Sequence, residues 1–80
     1  MLKMAEFKFQ IMEQLGNLTA DPKANVTKEI NLIAWNGKAP VYDIRSWKME
    51  ENERKPLKGI TLTVEELKTL HDALNGMEFE

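Results

Sequence analysis

The chain has 80 residues, of which 42% are hydrophobic and 30% charged, and it contains no cysteine. This length predicts one domain over residues 1–80 and leaves no room for a second. The composition excludes a disordered chain, and the lack of cysteine excludes disulfides, thiolate nucleophiles and cysteine-based zinc sites. No apolar run approaches the roughly 20 residues that span a bilayer, and no signal segment is recognisable, so we expect a cytoplasmic protein without a membrane partner.

The net charge of −2 conceals a segregation of charge along the chain. Residues 23–58 hold eight basic and five acidic side chains, a local charge of +3, whereas residues 1–22 and 59–80 carry −1 and −4. A nucleic-acid-binding surface is expected to be locally basic. The acidic average therefore does not exclude a phosphate-binding surface, and it favours the middle of the chain as its location.

The first predicted element is a strand that begins at its N-terminal phenylalanine. Its apolar residues lie two or four apart, with polar residues between them, which is the pattern of a half-buried strand. These residues are Phe7, Phe9, Ile11 and Leu15. Gly16 within the run indicates a bulge, so we expect this strand to be long and curved. Residues 17–25, with Asp21-Pro22, predict a loop.

Two further strands are predicted on either side of a turn. Residues 28–35 form the second strand and residues 41–49 the third, with Pro40 at the start of the third, where its missing N–H is tolerated. Asn36-Gly37 separates them and predicts a type I′ turn, because both residue types tolerate a positive φ.

The remaining segments predict a connector, a short strand and a helix. Residues 49–58 are charged and predict a mobile connector, and residues 59–62 a fourth strand. Thr63 and Glu66 have the spacing of a capping box, and Gly76 predicts a left-handed helix end. The apolar stripe of this helix is Val64, Leu67, Leu70, Leu74 and Met77. The fold class is therefore predicted as α+β, with four antiparallel strands followed by one C-terminal helix.

No pattern for enzymatic chemistry is present. His71 is the only histidine and lies beside the apolar stripe of the helix, where a packing role is the simpler interpretation. Ser46 lacks the Gly-x-Ser-x-Gly context of a hydrolase nucleophile, and no phosphate-cradling glycine loop occurs. We therefore expect a protein that is not an enzyme and that has no metal or cofactor.

The informative feature is the sheet face opposite the helix. If Tyr42 and Ile44 point toward the core, Arg45 and Trp47 point away from it, and Trp35 lies on the same outward surface. Aromatic rings among cations on an open sheet suit the stacking of unpaired bases. The alternative is that a partner copy or the N-terminal strand covers the two tryptophans.

Three segments together resemble a known family. They are Trp35–Lys38, Tyr42–Trp47 and Lys55–Glu66, and the similarity covers most of residues 7–76. The chain resembles the single-stranded-DNA-binding transcriptional coactivators called positive cofactor four, especially their small bacterial relatives of the YdbC type. The resemblance implies a curved four-stranded antiparallel sheet followed by a helix, in a homodimer with the helices at the subunit interface.

The resemblance also implies which residues bind nucleic acid. The stacking aromatics would be Trp35 and Trp47, and the phosphate-contacting cations would be Lys28, Lys38, Arg45 and Lys58. The helix residues at the dimer interface or in the core would be Val64, Leu67, Leu70 and Leu74.

Two functional hypotheses follow from these residues. The first is a homodimer that binds single-stranded DNA with little sequence preference, in transcription regulation, replication or repair, with binding of RNA left open. The second is a protein-interaction module, an adaptor or inhibitor, that uses the same sheet face. A bacterial protein of the first kind would be associated with the nucleoid.

Overall fold

The computed structural model describes residues 8–79, which form one sheet and one helix. The strands are β1 (Phe9–Asp21), β2 (Val26–Trp35), β3 (Val41–Glu50) and β4 (Glu53–Leu62), and the helix is α1 (Val64–Asn75). The strands are ordered β1-β2-β3-β4, with each pair antiparallel. The prediction of a curved four-stranded antiparallel sheet followed by one helix is confirmed. Phe7, the predicted start of the first strand, lies outside the described residues.

β1 is longer and less regular than its apolar pattern predicts. Its pairing with β2 shifts at three places, between Ile11 and Glu13, Gln14 and Gly16, and Asn17 and Thr19. The bulge predicted at Gly16 is therefore present. The loop predicted over residues 17–25 is present only at residues 22–25, because β1 continues to Asp21. Bulges displace apolar side chains from strict alternation, so a strand that contains several of them no longer shows a period of two.

The connection from β1 to β2 is a short turn stabilised by Asp21. The Oδ1 atom of Asp21 accepts from the backbone N–H groups of Lys23 and Ala24, at 3.1 and 3.4 Å. Asn25 has a φ of 59°, a conformation that asparagine adopts more readily than most residues. These local side-chain hydrogen bonds reverse the chain over residues 22–25, and β2 begins two residues earlier than predicted.

The turn predicted at Asn36-Gly37 is confirmed. Their φ angles are 51° and 77°, and the N–H of Lys38 donates to the carbonyl of Trp35 at 2.8 Å. β3 then starts directly after Pro40, as predicted.

The prediction of a mobile connector over residues 49–58 is wrong. β3 extends to Glu50 and β4 starts at Glu53, with Glu51 and Asn52 between them at φ angles of 51° and 66°. The charged composition concealed this hairpin, because charged side chains are depleted in most strands. Here the charges pair with each other, and Lys55 contacts Glu50 at 3.1 Å.

α1 begins as predicted and ends differently. The Thr63 side chain accepts from the N–H of Glu66 at 3.1 Å, and the Glu66 carboxylate accepts from the N–H of Thr63 at 2.9 Å, which completes the capping box. Gly76 has a φ of −89°, so the predicted left-handed end is wrong. Its N–H instead donates to the carbonyl of Ala73 at 3.2 Å, and the N–H of Met77 donates to the carbonyl of Leu74 at 3.1 Å.

The two faces of the sheet differ in what covers them. The tryptophan face carries Thr27, Glu29, Asn31, Ile33 and Trp35 of β2 and Val41, Asp43, Arg45 and Trp47 of β3. The helix face carries Ile30, Leu32, Tyr42, Ile44, Ile60 and Leu62. The register across β2, β3 and β4 places these sets on opposite sides.

The buried core lies on the tryptophan face. Ile33, Asn31 and Asp43 are fully buried and Trp47 is 2% exposed, whereas Ile60 on the helix face is 56% exposed. The expectation of an outward-pointing tryptophan face with the core beneath the helix is therefore wrong for the described chain. α1 stands away from the sheet and leaves an apolar groove of about 590 Å³, which is lined by Ile30, Tyr42, Val64, Leu67, Leu70 and Leu74.

Candidate nucleic-acid interface

Trp35 and Trp47 form a stacked pair. Their ring centroids are 6.4 Å apart and their planes differ by 2°. Trp47 of β3 pairs with Thr27 of β2, and Thr27 lies eight residues from Trp35 along β2. In a flat sheet that separation would be about 26 Å. The rings meet because the sheet curves toward this face, so the curvature itself brings the two predicted stacking residues together.

Phe9, the first residue of β1, covers the tryptophan pair. Its ring centroid lies 5.0 Å from that of Trp47 and 5.9 Å from that of Trp35, with the planes inclined at 55° and 57°. These separations are those of ordinary aromatic pairs. The alternative weighed above, that the N-terminal strand covers the tryptophans, is therefore what the structure shows for Trp47.

Arg45 lies among the aromatic residues and is paired with a buried carboxylate. Its Nε and Nη2 atoms donate to both oxygens of Asp43 at 2.8 to 3.1 Å, and its Nη1 donates to the carbonyl of Leu57 at 2.9 Å. The guanidinium also lies 4.8 Å from the centre of the Trp35 ring, within cation–π range. These contacts hold the guanidinium in place and leave little of its charge for phosphate.

Arg54 forms a second unit of the same kind, which the sequence did not predict. Its guanidinium lies 4.6 Å from the centre of the Trp47 ring and donates from Nη2 to Glu29 at 2.6 Å. Each tryptophan thus has an arginine beside it, and each arginine is ion-paired with a carboxylate on the same sheet face. The alternation of side chains along β4, where Arg54 pairs with Met49 of β3, is the pattern that could have placed Arg54 on this face. It was missed because residues 49–58 were predicted to be a connector.

Glu29 is the polar centre of this second unit. Burial raises the pKa of its carboxyl, but hydrogen bonds from Thr27, Arg54 and Asn31 and the charge of Arg54 outweigh burial and lower the pKa below its ordinary value of 4.5. The hydrogen bonds from Thr27 and Asn31 measure 2.6 and 3.1 Å. Glu29 is therefore held as a carboxylate, the form that anchors Arg54 beside Trp47.

The predicted lysines are not on the tryptophan face. Lys28 and Lys58 line a shallow pocket of about 330 Å³ with Ile44 and Ile60, which belong to the helix face. Lys38 follows the Asn36-Gly37 turn and is exposed at the end of the β2–β3 hairpin. The structure therefore brings Trp35, Trp47 and Arg45 together and places the three lysines at other positions on the sheet.

A cleft opens at one end of the tryptophan face. It has a volume of about 310 Å³ and lies between the β1–β2 turn and the β3–β4 hairpin, where Thr27, Glu29, Trp47 and Arg54 line it. Trp47 Nε1 is buried and has no acceptor among residues 8–79. Buried polar atoms without a partner are rare in folded proteins, and this one belongs to a residue that lines the cleft.

The described residues present few features for other chemistry. Over residues 8–79, no three His, Asp or Glu side chains are close enough together to hold a metal ion. Nor does the described part of the chain contain a helix long and apolar enough to cross a membrane. His71 is exposed on α1, with its Nδ1 3.8 Å from the carboxylate of Asp72.

An antiparallel sheet with a paired aromatic and arginine surface, followed by one helix, defines a small sheet-based binding domain. A comparison with protein families specifies it further. The sequence model of the family Transcriptional Coactivator p15 (PC4) matches residues 23–73, and the chain belongs to this family. Membership supports a non-enzymatic, DNA-binding function of the coactivator type in general.

A curated relative supports the same grouping. It is an uncharacterised protein of Treponema pallidum (strain Nichols), 33% identical over 75 residues. The aligned region covers 94% of this chain and 85% of the relative. The similarity thus includes β1 as well as the residues that the family model matches.

Proposed function

We propose that this protein binds single-stranded DNA with little sequence preference and acts in transcription regulation, replication or repair. The observation that carries the proposal is the stacked Trp35–Trp47 pair, flanked by Arg45 and Arg54, in a chain of the coactivator family. Duplex DNA hides the faces of its bases, so an aromatic surface selects unpaired strands. A stacked base contributes about 1–3 kcal/mol, whatever its identity.

In this proposal the arginines and the lysines have different roles in binding. Arg45 and Arg54 are held by Asp43 and Glu29 and position the aromatic rings. Exposed lysines supply the charge that neutralises phosphates and releases counterions, and these are Lys28, Lys38 and Lys58. In this proposal the bases reach the tryptophan face, and the DNA backbone passes around the sheet to the three lysines.

Dimerisation is part of the proposal, and the helix face supports it. Val64 and Leu74 of α1 line an apolar groove of about 590 Å³ and are exposed, and Ile60 of β4 is exposed on the same sheet face. A chain of this size buries only about 60% of the surface that its unfolded form exposes, so it gains stability by association. A second copy with its helix against this groove would bury these side chains, together with Leu67 and Leu70.

The proposed location is the cytoplasm, with association to the nucleoid if the cell is bacterial. Single-stranded DNA is exposed there during transcription, replication and repair. RNA presents the same base faces and phosphates, so an RNA oligonucleotide belongs in every binding experiment.

The test is a titration of oligo-dT followed by tryptophan fluorescence at two salt concentrations. Bases that stack on Trp35 should quench the emission. The logarithm of the binding constant should fall with the logarithm of the salt concentration at a slope of about −0.7 per phosphate neutralised. A duplex of the same length is the control. No response to any oligonucleotide at low salt would contradict the proposal and favour the protein-interaction module.

A further inference from the structure

The aromatic site of the tryptophan face is already occupied by a side chain of the same molecule. Phe9 contacts both tryptophan rings, at 5.0 and 5.9 Å between centroids, and Trp47 retains 2% of its exposure. A base that stacks on Trp47 needs the space that this phenyl ring fills. In the described structure, Phe9 therefore stands where a ligand of the aromatic site would be expected.

Two hydrogen bonds between Lys8 and Asn36 hold the backbone next to Phe9 in place. The N–H of Asn36 donates to the carbonyl of Lys8 at 2.7 Å, and the N–H of Lys8 donates to the Oδ1 atom of Asn36 at 3.0 Å. Among residues 8–79, β1 is an edge strand and pairs with β2 alone. The end of an edge strand has few packed neighbours, and such segments open at a lower free energy than the centre of a sheet.

The closed arrangement leaves one polar group unsatisfied. The Trp47 Nε1–H is buried, and residues 8–79 offer it no acceptor. A buried donor without an acceptor opposes the state that buries it. Movement of Phe9 away from Trp47 exposes this donor to water or to a base carbonyl, so this unmade hydrogen bond favours opening while aromatic packing favours closure.

We propose that Phe9 is an internal competitor for the nucleobase, and that single-stranded DNA binds after the N-terminal end of β1 has moved off the tryptophan pair. This inference rests on the proposed function and adds that the free protein holds its aromatic site closed. The competitor and the ligand use the same chemistry, since both are flat aromatic rings against the same two indoles.

The first experiment compares Phe9→Ala with the unchanged protein in the oligo-dT titration. Removal of the competing ring should tighten binding by about three- to tenfold, the factor that corresponds to one ordinary aromatic pair. Leu18→Ala is the matched control, because Leu18 lies toward the other end of β1 and is exposed. It should leave the affinity unchanged.

A second variant opens the site without altering an aromatic ring. Asn36→Gly keeps the positive φ that the turn requires and removes the Oδ1 acceptor of the Lys8 N–H. It should also tighten oligo-dT binding, by a smaller factor than Phe9→Ala. It keeps the inference testable if Phe9→Ala does not fold, and circular dichroism of each variant checks the fold.

A measurement without DNA tests the closed state directly. Acrylamide should quench the tryptophan fluorescence of Phe9→Ala more efficiently than that of the unchanged protein. If the unchanged protein binds oligo-dT and both opening variants bind equally or more weakly, the competitor role of Phe9 is overturned while the proposed function stands. If no form of the protein binds oligonucleotide, the proposed function fails and the competitor role fails with it.

Discussion

Arg45 donates hydrogen bonds from both Nε and Nη2 to the carboxylate of Asp43, two residues away on the same strand and face. A planar guanidinium matches a carboxylate in this two-point geometry, whereas a lysine ammonium does not. The Asp43 side chain is fully buried and that of Arg45 is 16% exposed. The ion pair therefore fixes the position of the Arg45 guanidinium beside the Trp35 ring.

The first prediction concerns the removal of this carboxylate. Asp43→Ala leaves the Arg45 charge in a mostly buried position without its partner, which should lower the free energy of unfolding by about 3 kcal/mol. Urea denaturation measures the change. Lys55→Ala removes one side of the exposed Glu50–Lys55 pair and is the control, with a much smaller effect expected. Equal effects of the two substitutions would show that the buried pair has no special role.

The second prediction concerns Gly59, which lies opposite Arg45 in the register. A Cβ atom at this position would lie 2.5 Å from the Ile44 carbonyl oxygen and 2.6 Å from the Arg45 Cα. Both are backbone atoms, so the backbone itself would have to shift to relieve the overlap. Gly59→Ala should therefore destabilise the domain by about 1–3 kcal/mol, the range of overpacking.

Gly16→Ala is the matched control for this substitution. Its Cβ would lie 3.7 Å from the Ile30 side chain, an ordinary contact, so thermal unfolding should change little. A Gly59→Ala variant as stable as the unchanged protein would contradict the close approach of β3 and β4 at this position.

The third prediction concerns the dependence of stability on pH. The pKa of Glu29 is lower in the folded protein than its ordinary value of 4.5. The unfolded chain then binds more protons near this pH, so the contribution of Glu29 to stability is complete above pH 4.5 and is lost as the pH falls through the folded-state pKa. Unfolding experiments at a series of acidic pH values measure this loss.

Two variants test whether Glu29 causes the loss. Glu29→Gln should flatten the acidic limb of the stability curve, and Thr27→Val should reduce its slope, because Thr27 donates one of the hydrogen bonds that lower this pKa. A remaining slope is expected from Glu50, whose pKa the hydrogen bond from Lys55 lowers. If Glu29→Gln retained the full acid sensitivity, the Glu29–Arg54 unit would not be its source.

The fourth prediction separates the two roles of Trp47. Because its ring is 2% exposed, Trp47→Ala should lower the free energy of unfolding by about 3–5 kcal/mol, as substitutions of a large buried aromatic do. Loss of DNA binding in that variant would therefore report unfolding. Trp47→Phe retains a flat ring and most of the packing, so a calorimetric scan should show a folded protein in which binding can be measured.

The fifth prediction concerns the proposed dimer. Leu74→Glu places a charge on the exposed side of the groove beneath α1, and sedimentation should show a shift from dimer to monomer. Thr69→Glu introduces the same charge outside that groove and should leave the dimer intact. An unchanged protein that sediments as a 9.3 kDa monomer at all concentrations would contradict the dimer.

The sequence predicted the order of elements better than the position of the core. The capping box at Thr63 and the turn at Asn36-Gly37 depend on a few adjacent residues, so local patterns specify them. The extent of β4 could not be predicted in this way, because its charges are satisfied by residues of neighbouring strands. Curvature is likewise non-local, since only the assembled sheet brings Trp35 to Trp47.

The same reasoning explains which site residues were predicted. Trp35, Trp47 and Arg45 follow from strand alternation and from the resemblance, and the structure places them together. Arg54 was not predicted because residues 49–58 were expected to be a connector. Phe9 was predicted as a strand residue without a role at the tryptophans. The contact of Phe9 with both rings depends on the pairing of β1 with β2, which no local pattern specified.

The three bulges of β1 also determine how this sheet meets its surroundings. A free edge strand offers a regular row of N–H and C=O groups to any other strand, and repeated bulges interrupt that row. At the opposite edge, β4 contains Pro56, and proline is one of the residues by which edge strands avoid further pairing. Both margins thus resist extension of the sheet into a longer one, and the proposed dimer has the faces of the sheet and helix as its available surfaces.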